Sequence, residues 1–497
     1  MSTTSLSNRL NISPMFRLAV VGATALLAAC ATVPKNAGFN EVQSDVSPRL
    51  EQKLRWNQDA QAGNETGSAV HQLLQTPLTP ERAVQVALLN NPSLQADYEQ
   101  LGIAQADLVQ AGLLNNITVS GQWLSSSVET EKDFGVTANI LNLLTRGPRK
   151  NIQSAVFAST KLAVSNKVLE LAADVKVAYY TAQADAQEVA LFTQAVAASE
   201  AAAELAQRQY QAGTLNRREQ LLQQSFYAQT LLDAAQAETR LQTDREHVNR
   251  LLGLWGNNIT WTLPARLPAP KDIPKLEHLE SQAIAQRLDL AVAKQEESGI
   301  YYALNYSRRY RFLGPLSLGF DIQKTSDRGT LRGPQVEFGL PLFDQGQPRI
   351  ARLESEQRAA ERRVEALAIA IRSQVREART KLIAADHAVS YYQSVILPLQ
   401  EQITKQTELF YNGMLVGVYD LLTAKQNEIN AARSDVDALR DYWIARSELE
   451  RTIGGHLILT KDAESAPAPP HVSWGKTQPD QPARLSLPSN TESKGVQ

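Results

Sequence analysis

Residues 349–411 read RIARLESEQRAAERRVEALAIAIRSQVREARTKLIAADHAVSYYQSVILPLQEQITKQTELFY, and only Pro398 interrupts what is otherwise helix-permissive sequence. A row of positions at steps of three and four runs through it: Ile350, Leu353, Gln357, Ala360, Val364, Leu367 and Ile371. That spacing is the seam of a coiled coil. One extra step of four reaches Val375, and the row resumes through Ala378, Leu382, Ala385, Val389, Tyr392, Ile396, Leu399, Ile403, Gln406 and Phe410. Such a stutter locally unwinds the supercoil. At ~1.5 Å per residue the helix reaches roughly 95 Å. No compact domain needs a rod of that length, so the rod spans something.

The chain carries this unit twice. An offset of 200 maps Pro148-Arg149 onto Pro348-Arg349 and Val175 and Ala178 onto Val375 and Ala378. An offset of 201 maps Tyr210 onto Tyr411, Glu219 onto Asp420 and Gly253 onto Gly454. An offset of 196 maps residues 90–94 onto 286–290. The mature body is therefore a tandem duplication, and a repeat decides the architecture. The one-residue slip between the larger offsets predicts a π-bulge near Pro398.

Before each rod the apolar period changes from helical to alternating. Ile117, Val119, Gly121 and Trp123 are followed by Phe134, Val136, Ala138 and Ile140. In the second repeat the pattern is Leu316, Leu318, Phe320 and Ile322, then Val336, Phe338, Leu340 and Leu342. Each set is a β-hairpin with one apolar face, its strands long enough, when tilted, to cross an apolar layer of ~25 Å. A tight turn ends each rod, and a shorter helix returns.

The expected organisation is a signal peptide at 1–29, an extended arm at 30–76 with a short helix near 48–59, and a first repeat at 77–262. That repeat has a hairpin at about 115–143, a long helix at about 149–211 and a return helix at about 217–252. A proline-rich strap covers 263–275. The second repeat, 276–455, has its hairpin at about 314–342, long helix at about 349–411 and return helix at about 418–453. The Pro-rich polar tail, 456–497, reads either as disordered or as a packed strap.

Four amphipathic strands cannot close a barrel, and an open edge in lipid is forbidden. The barrel must be shared between chains: two give eight strands and a filled interior, three give twelve and a lumen. The fold class expected is mainly α with transmembrane β, a coiled-coil helical tube below a shared twelve-stranded trimeric barrel.

Charge is balanced at net −2, which argues against nucleic acid. The mature sequence has no apolar run long enough for a membrane helix. Cys30 is the single cysteine, so no internal disulfide or cysteine-cluster metal site exists. The six histidines lie far apart, and no phosphate loop or paired nucleophile and base is present. We expect no metal, no cofactor and no catalytic residues. Arg9 and Arg17 precede an apolar run ending Leu27-Ala28-Ala29-Cys30, a secretory signal. Met15 is an alternative start. The Cys30 context resembles the bacterial lipoprotein signal, which implies lipidation of Cys30; the alternative is an ordinary signal that happens to contain a cysteine.

Helix, hairpin, long helix, tight turn and helix, twice over, resemble the TolC-type outer-membrane efflux protein family. Residues 87–94, Pro341-Leu342-Phe343-Asp344 with Gly346 and Pro348, Tyr210 with Gly213, and residues 411–422 carry the likeness. The resemblance implies a homotrimer in the cell outer membrane, in contact with its lipid, whose tube crosses the periplasm to an adaptor protein and an inner-membrane pump. It implies passive export of small toxic compounds, drugs or metal ions. It also implies adaptor docking at the tip residues Gly213, Thr214, Leu215, Gly413, Met414, Leu415, Val416 and Gly417, the alternative being that these cap the helix pair internally. Met414 stands where the family's second turn has glycine, which predicts a different backbone there. Asp420 and its repeat mate Glu219 read either as a carboxylate ring narrowing the pore or as acids placed at helix N-termini. The rival assignment for the whole chain is a lipid-tethered periplasmic coiled-coil scaffold or adaptor without a pore.

Overall fold

The computed structural model describes residues 32–126, 130–270, 276–326 and 329–457. The signal peptide, Cys30 and residues 458–497 lie outside them. The arm differs from expectation: α1 (Phe39–Leu50) and α2 (Ala60–Leu74) are helical, while residues 51–58 between them are irregular. Apolar residues four apart decide this. Val42 and Val46 on α1, and Val70 on α2, are buried, and Asp59 caps α2 by accepting from Ala62 N–H at 2.7 Å.

Next come α3 (Pro80–Asn90) and α4 (Pro92–Gly112). Asn91 joins them to the far end of the first return helix. Its Oδ1 accepts from Leu94 N–H at 3.0 Å, capping α4, and its Nδ2 donates to Leu251 O at 2.8 Å. Asn90 donates to Leu252 O and Gly253 O. Gly253 has φ 68°, and a Cβ there would lie 2.7 Å from Asn90 O, so the close approach requires glycine. Gly454 repeats the arrangement against Gln286, with φ 80°. The core gathers around this junction: Tyr98, Tyr179, Leu252, Tyr442, Leu449 and Ile453 are fully buried.

The strap starting at Trp261 is pinned by side chains. Trp261 Nε1 donates to Asn249 Oδ1 at 2.7 Å, Gln183 to Arg266 O at 2.8 Å, and Trp443 Nε1 to Pro268 O at 2.9 Å. An extended segment without a sheet partner needs such donors for its carbonyls.

The first rod is α5 (Ile140–Gln211), 72 residues and about 108 Å long. It starts nine residues before the position expected from Pro148. Asn139 caps it, accepting from Asn142 N–H at 3.2 Å, and Arg149 donates to Asn142 O at 3.0 Å, so the helix carries Pro148 inside. The second rod does begin at its proline. Pro341 favours extended backbone at Leu340, Gly346 turns the chain at φ 76°, and α9 spans Gln347–Tyr391. A π turn at Tyr392–Ile396 follows, then α10 (Leu397–Asn412). The π turn stands just before Pro398 and absorbs the one-residue slip. The return helices are α6 (Arg217–Leu252) and α11 (Val418–Ile453), 36 residues each. In the second repeat α7 (Leu279–Gln286) and α8 (Leu288–Tyr310) replace α3 and α4.

The α9 seam is buried at Ala360, Ile371, Val375, Ala378, Leu382 and Val389. Beyond the π turn, Leu399, Ile403 and Phe410 of the same row are exposed. The strands are β1 (Thr118–Ser125), β2 (Thr130–Asn139), β3 (Leu316–Thr325) and β4 (Gly329–Phe338).

Candidate functional site

The two hairpins join in one antiparallel sheet of order β1-β2-β3-β4. Val119 faces Val136, Phe134 faces Ile322, Val136 faces Phe320, and Leu318 faces Val336. Register partners share a face, so the alternating apolar residues within the strands fall on one side, whereas Ile117, Leu340 and Leu342 lie beyond the strands and Ile140 begins α5. That side is bare: Val119 is 61 %, Trp123 71 % and Val336 67 % exposed. The other face carries Thr118, Ser120, Gln122, Glu131, Asp133, Asp321, Gln323 and Glu337. Gln323 donates to Glu131 there. Among the described residues β1 and β4 have no outer neighbour. A sheet with a bare apolar face and two open edges is unstable in water on both counts.

At the opposite end of the rods are the two turns. After α5, Gly213 N–H bonds Tyr210 O at 3.0 Å and Thr214 N–H bonds Gln209 O at 3.0 Å. After α10, Met414 N–H bonds Tyr411 O at 2.9 Å and Leu415 N–H bonds Phe410 O at 2.8 Å. Both are Schellman turns with a left-handed residue, Gly213 at φ 75° and Met414 at φ 57°. The different backbone expected at the second turn is therefore absent. Met414 itself adopts the left-handed conformation, and Gly413 is the right-handed residue before it, equivalent to Ala212. Met414 is 94 % and Leu415 73 % exposed, Leu215 and Val416 are half-buried, and Thr214 and Gly417 are exposed.

The turns lie side by side. Tyr419 Oη donates to Gln209 Oε1 at 2.8 Å, from the second return helix to the last turn of the first rod. Burial, with Glu219 adding to it, raises the Tyr419 hydroxyl above its usual range and keeps it a donor. A groove of about 300 Å³ opens between the hairpins, lined by Ala202, Leu222, Phe226, Tyr419, Leu422 and Ile429 among others. Glu219 and Asp420 are equivalent and exposed. Glu219 N–H donates to Asn216 Oδ1 at 3.0 Å, while Asp420 Oδ2 accepts from Gly417 N–H at 2.9 Å. The Asp420 carboxylate is thus engaged as a helix-start acid within its own chain.

Residues 83–254 match the family model described as outer membrane efflux protein. The chain superposes on the outer membrane protein VceC from Vibrio cholerae with a TM-score of 0.63 at 13 % identity, covering 78 % of this chain and 97 % of that one. For the CmeC outer membrane channel of Campylobacter jejuni the TM-score is 0.61 at 15 % identity, covering 93 % and 98 %. For the open state of the Neisseria gonorrhoeae MtrE outer membrane channel it is 0.62 at 16 %, covering 75 % and 88 %. The chain has the fold of the TolC-type outer-membrane efflux channels. No curated protein matches it.

In a channel of this fold the four strands are one chain's share of a barrel formed between chains, and the rods form the helical tube. No helix among the described residues is long and apolar enough to cross a membrane. No group of three or more His, Cys, Asp or Glu among them is placed to hold a metal. Two features went unforeseen in the sequence. One is the Gln209–Tyr419 bond, between residues 210 apart. The other is Lys132 opposite Lys324 in the sheet, a pairing that only the register between hairpins creates.

Proposed function

We propose that this protein is the outer-membrane duct of a tripartite efflux system. A homotrimer closes twelve strands into a pore and prolongs it as a helical tube toward a periplasmic adaptor and an inner-membrane pump. The carrying observation is the open four-stranded sheet, apolar on one face, polar on the other, set at the end of rods roughly 100 Å long. Pairing β1 of one copy with β4 of the next removes every edge, and three copies leave a lumen lined by the polar face. The bare row Leu399, Ile403 and Phe410 supplies helix contacts between copies.

The adaptor docks on residues 213–215 and 413–417, where Met414 and Leu415 stand free of their own chain. Three copies of Asp420, with Glu219 beside them, line the narrow end and favour cations. Lipidated Cys30 anchors the arm to the outer membrane. The cargo is small toxic compounds, drugs or metal ions; energy comes from the pump, since the duct contributes a path and no chemistry.

The test is electrical. Purified protein added to a planar bilayer should give stepwise conductance from a species that runs as a trimer unheated and as a monomer after boiling. A soluble, non-conducting product would instead fit a tethered scaffold. Deleting the gene should raise susceptibility to part of a drug and metal panel.

A further inference from the structure

The apolar face of the sheet changes character toward the hairpin loops. On it lie Lys132, Lys324 and Arg332, all exposed. Lys132 and Lys324 are direct register partners across β2 and β3, and Arg332 is paired with Ile322, two residues from Lys324. Like charges opposed across a ladder repel. None of the three makes an ion pair with a carboxylate among the described residues. The strand carboxylates Glu131, Asp133, Asp321 and Glu337 all lie on the other face by register. Lys132 is held in place by its neighbour: Nζ stands 3.7 Å from the centroid of the Trp123 ring. Partners across a ladder are ~5 Å apart and diagonal neighbours ~7–8 Å, so the three cations form one patch about the width of a phosphorylated headgroup.

We propose that this patch binds the phosphates of a lipid A-type glycolipid in the membrane leaflet beside the hairpin loops. The inference rests on the outer-membrane reading above, which sets the loops at the outer side. The occupant favoured by charge is anionic, because among the described residues the three cations have no carboxylate partner. It must also be compatible with the apolar belt of Phe134, Val136, Leu318 and Phe320 immediately below. A phosphate-bearing, acylated lipid meets both demands with one molecule. Another copy of this chain fits less well: it pairs at the edges of β1 and β4, and of the three cations only Arg332 lies on an edge strand, whereas Lys132 and Lys324 sit on the inner strands.

The full-length protein in detergent is titrated with lipid A, phosphatidylglycerol or phosphatidylcholine, with bound lipid counted by native mass spectrometry and the unfolding temperature followed in parallel. Lipid A should be retained and should raise the unfolding temperature; phosphatidylcholine should do neither. The Lys132→Gln/Lys324→Gln/Arg332→Gln variant should lose affinity for lipid A by roughly a hundredfold, since each basic residue near an anionic surface contributes about a factor of five. Lys132→Arg/Lys324→Arg should keep it. If the triple variant does not assemble, Lys324→Gln alone serves, with a smaller loss expected. Undiminished lipid A binding by the variant overturns the assignment. So does retention of phosphatidylglycerol equal to that of lipid A, because charge alone would then suffice. Conductance of the unaltered protein in phosphatidylcholine bilayers reads the channel separately, so failure of the lipid site and failure of the duct give different results.

Discussion

Met414 holds a left-handed backbone that its equivalent, Gly213, adopts without cost. A residue with a Cβ pays ~1–2 kcal/mol there, and the side chain returns nothing to its own chain at 94 % exposure. Met414→Gly should therefore stabilise the turn by about 1 kcal/mol, seen as slower hydrogen exchange at Leu415 N–H. The same variant should weaken adaptor binding if the exposed side chain is what the partner grips. A second residue under tension is Asp185 on α5. It is buried, its Oδ2 lacks a partner, and burial together with the Asp244 carboxyl on α6 pushes its pKa up to about 7. The folded state then holds a proton that the unfolded chain has released. Its contribution to stability is fully present below about pH 4 and is lost as pH rises toward 7. Asp185→Asn removes that dependence. Its advantage in unfolding temperature should grow from pH 5 to pH 8, by the equivalent of roughly 2 kcal/mol.

Elements differ between the repeats where single residues differ. The first rod passes through Pro148 unbroken because Asn139 starts it earlier; the second waits for Gln347 because Pro341 and Gly346 keep residues 340–346 out of helix. The π turn at Tyr392–Ile396 marks one residue that the first rod lacks. Removing Ser394 should convert the π turn to α-helix and leave α10 in register with α11, with stability within about 1 kcal/mol of the parent. Removing Ala385 from the seam should rotate everything beyond it by about 100° and abolish the folded trimer. Unheated gel mobility and thermal unfolding of the two deletions separate these outcomes.

At the scale of the whole molecule, one chain leaves too much apolar surface bare to exist alone. The sheet face and the row Leu399, Ile403 and Phe410 are exposed together, and both demand neighbours. Leu399→Glu with Ile403→Glu should bury two charges between copies of the tube. We expect monomeric protein by light scattering in detergent and no conductance, because burying unpaired charge costs several kcal/mol per site. The hairpins themselves should still form, since their pairing lies within one chain.

Much of this was legible in residue order. Alternation marked the strands, the seam marked the rods, and two offsets one residue apart located the π turn, because periods of 2 and 3.6 are set by local backbone geometry. Composition did not reveal the α1 and α2 helices, whose few apolar residues find their partners only across the chain. Nor did it reveal that Met414 copies glycine's backbone, that Tyr419 reaches Gln209, or that Lys132 meets Lys324. Each of these depends on which distant segment arrives alongside. Register between elements is fixed by the packing of the whole repeat pair, not by any stretch within it.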